Sequence, residues 1–236
     1  MPTVDFTKLE NQKVGILGGS FDPPHLGHLR LAQAALESFS LDLVVFMPAK
    51  RNPLKARNLI ASDRQRLEML SLLIEDQENL KLSDLELISE EPSYTVDSLR
   101  SIQSKAPKAA LYLLLGADNL IDQDGRKTSL KHWKEKDQIF ELAEIIIASR
   151  GALGIDKLKD QISEYYSAEQ LLELFSNLIE LDLPVSATKL RTLLAKEQPI
   201  ADGMLPNALI AYLKKKAIYS EGYSAGVSSA GASSED

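Results

Sequence analysis

The 236-residue chain (26.1 kDa), 44% hydrophobic and 26% charged, has the composition of an ordinary packed globular protein and the length for one α/β domain, alone or with a small appendage. With no cysteine, disulfides and cysteine-ligated zinc are excluded, and a reducing cytoplasm is the expected compartment. The net charge of −7 argues against a general nucleic-acid binder, and MPTVDFTKLENQK has no apolar core of the kind a signal peptide needs.

Residues Lys13 to Leu17 read as a short buried strand ended by Gly18-Gly19, and Leu26 to Phe39 as a helix apolar at Leu29, Ala32 and Leu36. LDLVVFMPA (Leu41 to Ala49) is a second strand closed by proline, followed by a basic island, AKRNPLKAR (Ala49 to Arg57). Ser62 with Gln65 forms a capping box ahead of RLEMLSLLIED, and Thr95 is a good N-cap for VDSLRSIQSK, which Pro107 stops. AALYLLLGAD (Ala109 to Asp118) and AEIIIAS (Ala143 to Ser149) suit strands buried on both faces, and both are far too short to span a bilayer. A helix over 156–176, a strand at LIELDLP, a helix capped by Ser186 and a last helix opened by Pro206 at N1 complete the order. Strands alternating with helices predict a doubly wound, Rossmann-like parallel α/β sheet in a single domain over 1–219 with a small C-terminal helical part. SEGYSAGVSSAGASSED (220–236) has no apolar period and is expected to be a disordered tail.

The chemistry concentrates in GGSFDPPHLGHLRLAQAAL (Gly18 to Leu36), which holds two of the three histidines. In an open parallel sheet, ligands bind beyond the carboxyl ends of the strands, where the first strand turns into its helix. Gly18 and Gly19 let the backbone approach a ligand, and the helix start offers free N–H groups to an anion. His25 and His28, three apart, share a face of the first helical turn and add ring donors. An HxxH pair alone is often a surface accident, and a zinc site would need a third ligand that the stretch does not offer. The combination at this one position favours a phosphate site.

GGSFDPPHLGHL resembles the signature of the nucleotidyltransferases with a GxFDPxHxGH motif, whose site design is similar to that of class I aminoacyl-tRNA synthetases. FMPAKRNPLK, SYTVDSLR, LLLGADNL and VSATKLR follow in the order of the family's further motifs, and the pattern is that of the bacterial nicotinate-nucleotide adenylyltransferase family. The resemblance implies a transfer of the adenylyl group of ATP to nicotinate mononucleotide. It places Gly18, Gly19, Ser20, Phe21, Gly116, Asp118, Ser186 and Thr188 against ATP. It gives His25, His28, Lys55 and Arg191 the charge developing on the phosphates, and Tyr94, Thr95 and Trp133 the pyridine ring. It also implies Mg²⁺ carried with ATP, without a dedicated protein metal site. Each residue has a plainer reading as well: Ser186 and Thr95 as helix caps, Tyr94 and Trp133 as packing, Asp118 as the cap of a short helix, and Lys55 as part of a solvated loop.

The chain departs from the family pattern at Leu54, where a histidine is usual, at Ala187, and at Lys136, where a second tryptophan is usual. A polar segment, DQDGRKTSLKH, is added before Trp133, and 156–176 is longer than the usual connection. Nicotinamide mononucleotide and pantetheine phosphate stay open as acceptors, as does a nucleotide-binding module without catalysis. The expected partners are ATP and the mononucleotide, with no nucleic acid and no membrane; a homo-oligomer is left open.

Overall fold

The computed structural model describes residues 3–50, 59–122, 125, 127–150, 155–181 and 185–220. Six strands pair throughout in parallel: β1 (Lys13–Gly19), β2 (Leu43–Pro48), β3 (Leu80–Leu82), β4 (Ala110–Gly116), β5 (Glu144–Arg150) and β6 (Leu178–Leu181). Their order is β3-β2-β1-β4-β5-β6, so the sheet is doubly wound, with its topological switch between β1 and β4. The unbroken apolar reading of the second strand has its reason here: all six residues of β2 are buried between two helical layers.

Helices α1 (Leu26–Phe39) and α2 (Asp63–Leu73) cover one face, packing Leu31, Ala32, Ala35, Leu70 and Leu73 on Leu17, Val44, Phe46 and Leu114. On the other face α3 (Thr95–Lys105), α4 (Lys136–Leu142), α5 (Ile155–Ile162) and α6 (Ala168–Ser176) pack Val96, Leu99, Ile102, Ile139 and Leu174 against Val14, Ile16, Leu113 and Ile147. Each such side chain, taken fully out of water, contributes about 1.5–3 kcal/mol before conformational entropy is set against it. The C-terminal α7 (Ala187–Ala195) and α8 (Asn207–Lys216) form a third cluster through Leu190, Leu209 and Leu213, which reaches Met69 of α2.

The capping box at Ser62 and Gln65 is present, with the Ser62 hydroxyl accepting from the Gln65 N–H at 3.3 Å. Three local expectations are corrected. Tyr94, not Thr95, is the N-cap of α3, and Thr95 is the first helical residue. Pro206 is the N-cap of α8 rather than its N1 residue. The single helix expected over 156–176 is two, because Tyr166 takes extended backbone to bury its ring and Ser167, boxed with Gln170, starts a new helix. β3 and α4 escaped the sequence pattern because three and seven residues carry too little periodicity. The expectation of a tail concerns residues that, from 221 on, lie outside those described.

Candidate active site

The carboxyl ends of β1 and β4 open a cleft of about 790 Å³. Its floor is the turn from β1 to α1. A Cβ on Gly18 would meet nothing within 4 Å, so this backbone faces open cleft, whereas a Cβ on Gly19 would lie 3.2 Å from the Phe21 ring. Phe21 adopts a left-handed φ of 48° and is 2% exposed, with its ring edge-on to His28 at 5.0 Å.

Three clamps hold the turn. The buried Asp22 carboxylate accepts from the Ile60 and Ala61 N–H groups, each at 3.0 Å, and from the Tyr219 hydroxyl at 2.7 Å. The fully buried Arg66 of α2 donates to the Ser20 carbonyl at 2.9 Å and to Asp63 at 2.7 Å. From α7, Arg191 donates to the Asp22 carbonyl at 2.7 Å and to the Thr188 hydroxyl at 2.8 Å. Carbonyl oxygens beside an incoming phosphate would repel it; two of them are here occupied by guanidinium groups.

His25 is the N-cap of α1, and its backbone N–H donates to Nδ1 of His28 at 3.1 Å. That bond needs a lone pair on Nδ1, so a neutral His28 carries its proton on Nε2, as a donor. The two rings stack at 3.7 Å with 17° between their planes. Gly27, between them, is demanded by space: a Cβ there would sit 2.9 Å from His25 Nδ1 and 3.1 Å from Val185 Cγ1. The glycine thus lets the start of α1 approach the residue that leads into α7, and two helix N-termini converge on one cleft.

At the end of β4, the exposed Asp118 carboxylate folds back over Gly116, where a Cβ would lie 2.3 Å from Asp118 Oδ1 and would have to displace it. The opposite wall carries Tyr94 and Thr95, where α3 begins, and Trp133 with Lys134. Lys134 joins the two segments, since its ammonium is 2.9 Å from Asp97 and 4.9 Å from the centre of the Tyr94 ring. Glu86, buried in the same wall, accepts from the Ser98 hydroxyl at 2.7 Å. Burial pushes its carboxyl above the usual range, against the hydrogen bonds of Ser98 and Ser93 and the charge of Arg66.

Nearly all the site residues expected from sequence line this one cleft. Ser186 does not; its hydroxyl accepts from the Lys189 N–H at 3.2 Å as the N-cap of α7, while Val185, Ala187 and Thr188 form the wall. Lys55 lies outside the described residues. Sequence reasoning missed Arg66, Glu86 and Gly27. A signal for Arg66 existed: with Met69, Leu70 and Leu73 it occupies the buried stripe of α2, where a cation needs a partner. Among the described residues, no group of three or more His, Cys, Asp or Glu could hold a metal ion.

A doubly wound sheet with stacked histidines at a helix start on its switch point defines an α/β nucleotide-binding protein. Comparison with known proteins narrows the class. The cytidylyltransferase-like family model matches residues 16–193. A probable nicotinate-nucleotide adenylyltransferase of Methylacidiphilum infernorum is 33% identical over 212 residues, 90% of this chain and 94% of that protein. One from Chromobacterium violaceum is 34% identical over 219 residues, 89% of this chain and 99% of its own. Plasmodium falciparum nicotinic acid mononucleotide adenylyltransferase, solved complexed with NaAD, shares the fold at a TM-score of 0.66 and 21% identity, over 88% of this chain and 97% of that one. The chain belongs to the cytidylyltransferase-like family of nucleotidyltransferases, and within it to the nicotinate-nucleotide adenylyltransferases.

Proposed function

We propose that the protein transfers the adenylyl group of ATP to nicotinate mononucleotide, releasing pyrophosphate and forming deamido-NAD. The observation that carries this reading is the meeting, in one cleft, of the His25–His28 turn with Tyr94, Thr95 and Trp133. A volume of about 790 Å³ is within the range of small-molecule sites.

An oxygen of the mononucleotide phosphate attacks the α-phosphorus, the new P–O bond forms, and the bond to the β-phosphate oxygen breaks with its electron pair on pyrophosphate. The nucleophile is already an anion, so no general base is needed. Catalysis is alignment and charge neutralisation. Gly18 and Gly19 let the backbone close on the triphosphate. His25 and His28 Nε2 face the charge that grows on the α-phosphate, and Arg191 ties the turn to α7. Asp118 accepts from a ribose hydroxyl, with Gly116, Ser20 and Phe21 against the adenosine side and Thr188 on the phosphates. Ser186 supports this last contact as the cap of α7, and the family resemblance assigns Lys55 of the basic island to the phosphates.

Mg²⁺ fits as a cation carried by the nucleotide. Asp22 is already engaged with three donors and Asp118 belongs to the end of β4, so phosphate oxygens and water would be the ligands of the cation. It would supply charge neutralisation on the phosphates. No helix of the described residues is long and apolar enough to cross a membrane. We assign the reaction to the cytoplasm on the cysteine-free composition, which suits a reducing compartment.

The test is pyrophosphate release from ATP with nicotinate mononucleotide, nicotinamide mononucleotide and pantetheine phosphate in parallel. Turnover with the first well above the other two is expected; turnover led by pantetheine phosphate, or none with any, would overturn the assignment.

A further inference from the structure

The described residues just ahead of Trp133 are tied together by one carboxylate. Asp122 Oδ1 accepts from the Thr128 and Ser129 N–H groups, each at 3.1 Å, and from the Ser129 hydroxyl at 2.7 Å. Its other oxygen faces His132 Nε2 at 2.9 Å and the Lys131 ammonium at 3.4 Å. Partial burial opposes ionisation here, but the hydrogen bonds from Ser129 and His132 outweigh it and hold the carboxyl well below its usual range.

Thr128 links this knot to the indole. Its N–H is held by Asp122, and its carbonyl accepts from Trp133 Nε1 at 3.0 Å. The second unusual segment supports the same knot from outside. Tyr165 lies between α5 and α6; the Lys131 ammonium sits 3.6 Å from the centre of its ring, and Lys136 donates to its carbonyl at 3.1 Å. A tryptophan on an added polar loop would ordinarily sample many orientations, and a freely turning ring loses conformational entropy when a ligand stacks on it.

We propose that Asp122 is a positioning residue for the acceptor substrate. It folds Thr128 to Trp133 into a closed turn that presets the indole against which the pyridine ring stacks. This rests on the reading of the cleft as a nicotinate mononucleotide site. Asp122 does not line the cleft, so its influence reaches the acceptor through the residues it holds there, Thr128 and His132 beside the indole of Trp133.

Trp133 is the only tryptophan, so its emission reports the loop directly. In Asp122→Ala, the emission is expected to shift to the red and acrylamide quenching to rise. KM for nicotinate mononucleotide rises about 5–10-fold, with kcat and KM for ATP nearly unchanged, as for loss of one aromatic stack. Asp122→Asn keeps one acceptor oxygen and should fall between wild type and Ala, which keeps the test readable if the Ala variant folds poorly. In a Trp133→Ala background, Asp122→Ala should add much less than it does alone, because residues acting mainly through one contact are not additive. An unaltered mononucleotide KM in both Asp122 variants, or an equal rise in the Trp133→Ala background, would overturn the proposal. If nicotinate mononucleotide fails to perturb Trp133 emission in the wild type, the cleft reading fails, and this inference with it.

Discussion

The two halves of the cleft are built by different means. The half to which we assign the phosphates is backbone and buried side chains: Asp22 is 2% exposed, His25 3% and Arg66 0%; Asp22 and Arg66 are held by hydrogen bonds with main-chain groups of distant segments, and the His25 N–H donates to the His28 ring. The half to which we assign the acceptor is side chains on loops and helix starts, joined by solvent-facing ion pairs such as Lys134 with Asp97 and Arg100 with Glu135. A triphosphate presents the same charges in every reaction of this kind, so fixed dipoles and donors at the switch point suffice for it. A ring with one distinguishing substituent must be met by side chains, and loops on a rigid scaffold vary those most freely. The contrast predicts severe, geometry-dependent losses on one side and graded binding losses on the other.

The largest effect is expected at the stacked histidines. His25→Ala and His28→Ala should each lower kcat by roughly 10²–10³-fold with the fold intact, as for lost oxyanion donors. Steady-state kinetics beside a circular dichroism melt will check this, and normal turnover in both variants would remove them from the chemistry. Asp22→Ala should act on stability, because it strands two N–H groups and the Tyr219 hydroxyl in the interior. A loss of about 2–4 kcal/mol is expected, and for a chain of this size a fall in Tm of about 5–15 °C. An unchanged Tm would mean that the clamp is dispensable.

On the acceptor side, Trp133→Ala should raise KM for nicotinate mononucleotide about 5–10-fold and leave KM for ATP alone, since a stack made equally in ground and transition states is lost. Both KM values moving together, with lower stability, would assign the indole to packing. Trp133→Phe should retain most of the affinity.

Glu86 offers a pH-dependent test. Its carboxyl is raised in the folded state, so its favourable contribution is complete below the unfolded value near 4.5 and is lost as pH rises through the folded value. Glu86→Gln, which keeps an acceptor for Ser98, should therefore gain in Tm over wild type at pH 7 and gain little or nothing at pH 4. Melts of both proteins at the two pH values decide it; a gap that does not widen with pH would contradict the raised carboxyl. Smallest of all, deletion of 221–236 should change neither activity nor Tm, because the Ser/Gly/Ala-rich sequence has no apolar face to bury.

Five apolar runs alternating with helical periods were enough to specify the parallel sheet, and contiguous glycines, an Asp-Pro-Pro turn and paired histidines marked Gly18 to His28 as the turn we assign to the phosphates. Such features are local, and local chemistry is visible in a linear string. The tertiary structure alone decided which residues hold that turn. Arg66 lies 46 positions from Ser20, Arg191 169 from Asp22, and Tyr219 197 from the same aspartate. It also decided that Thr188, and not the Ser186 hydroxyl that caps α7, lines the cleft, and that Asp122 accepts from Thr128 and Ser129 ahead of Trp133. A buried cation or carboxylate is tolerated only where other groups satisfy it, and which groups reach it depends on how the layers pack against the sheet.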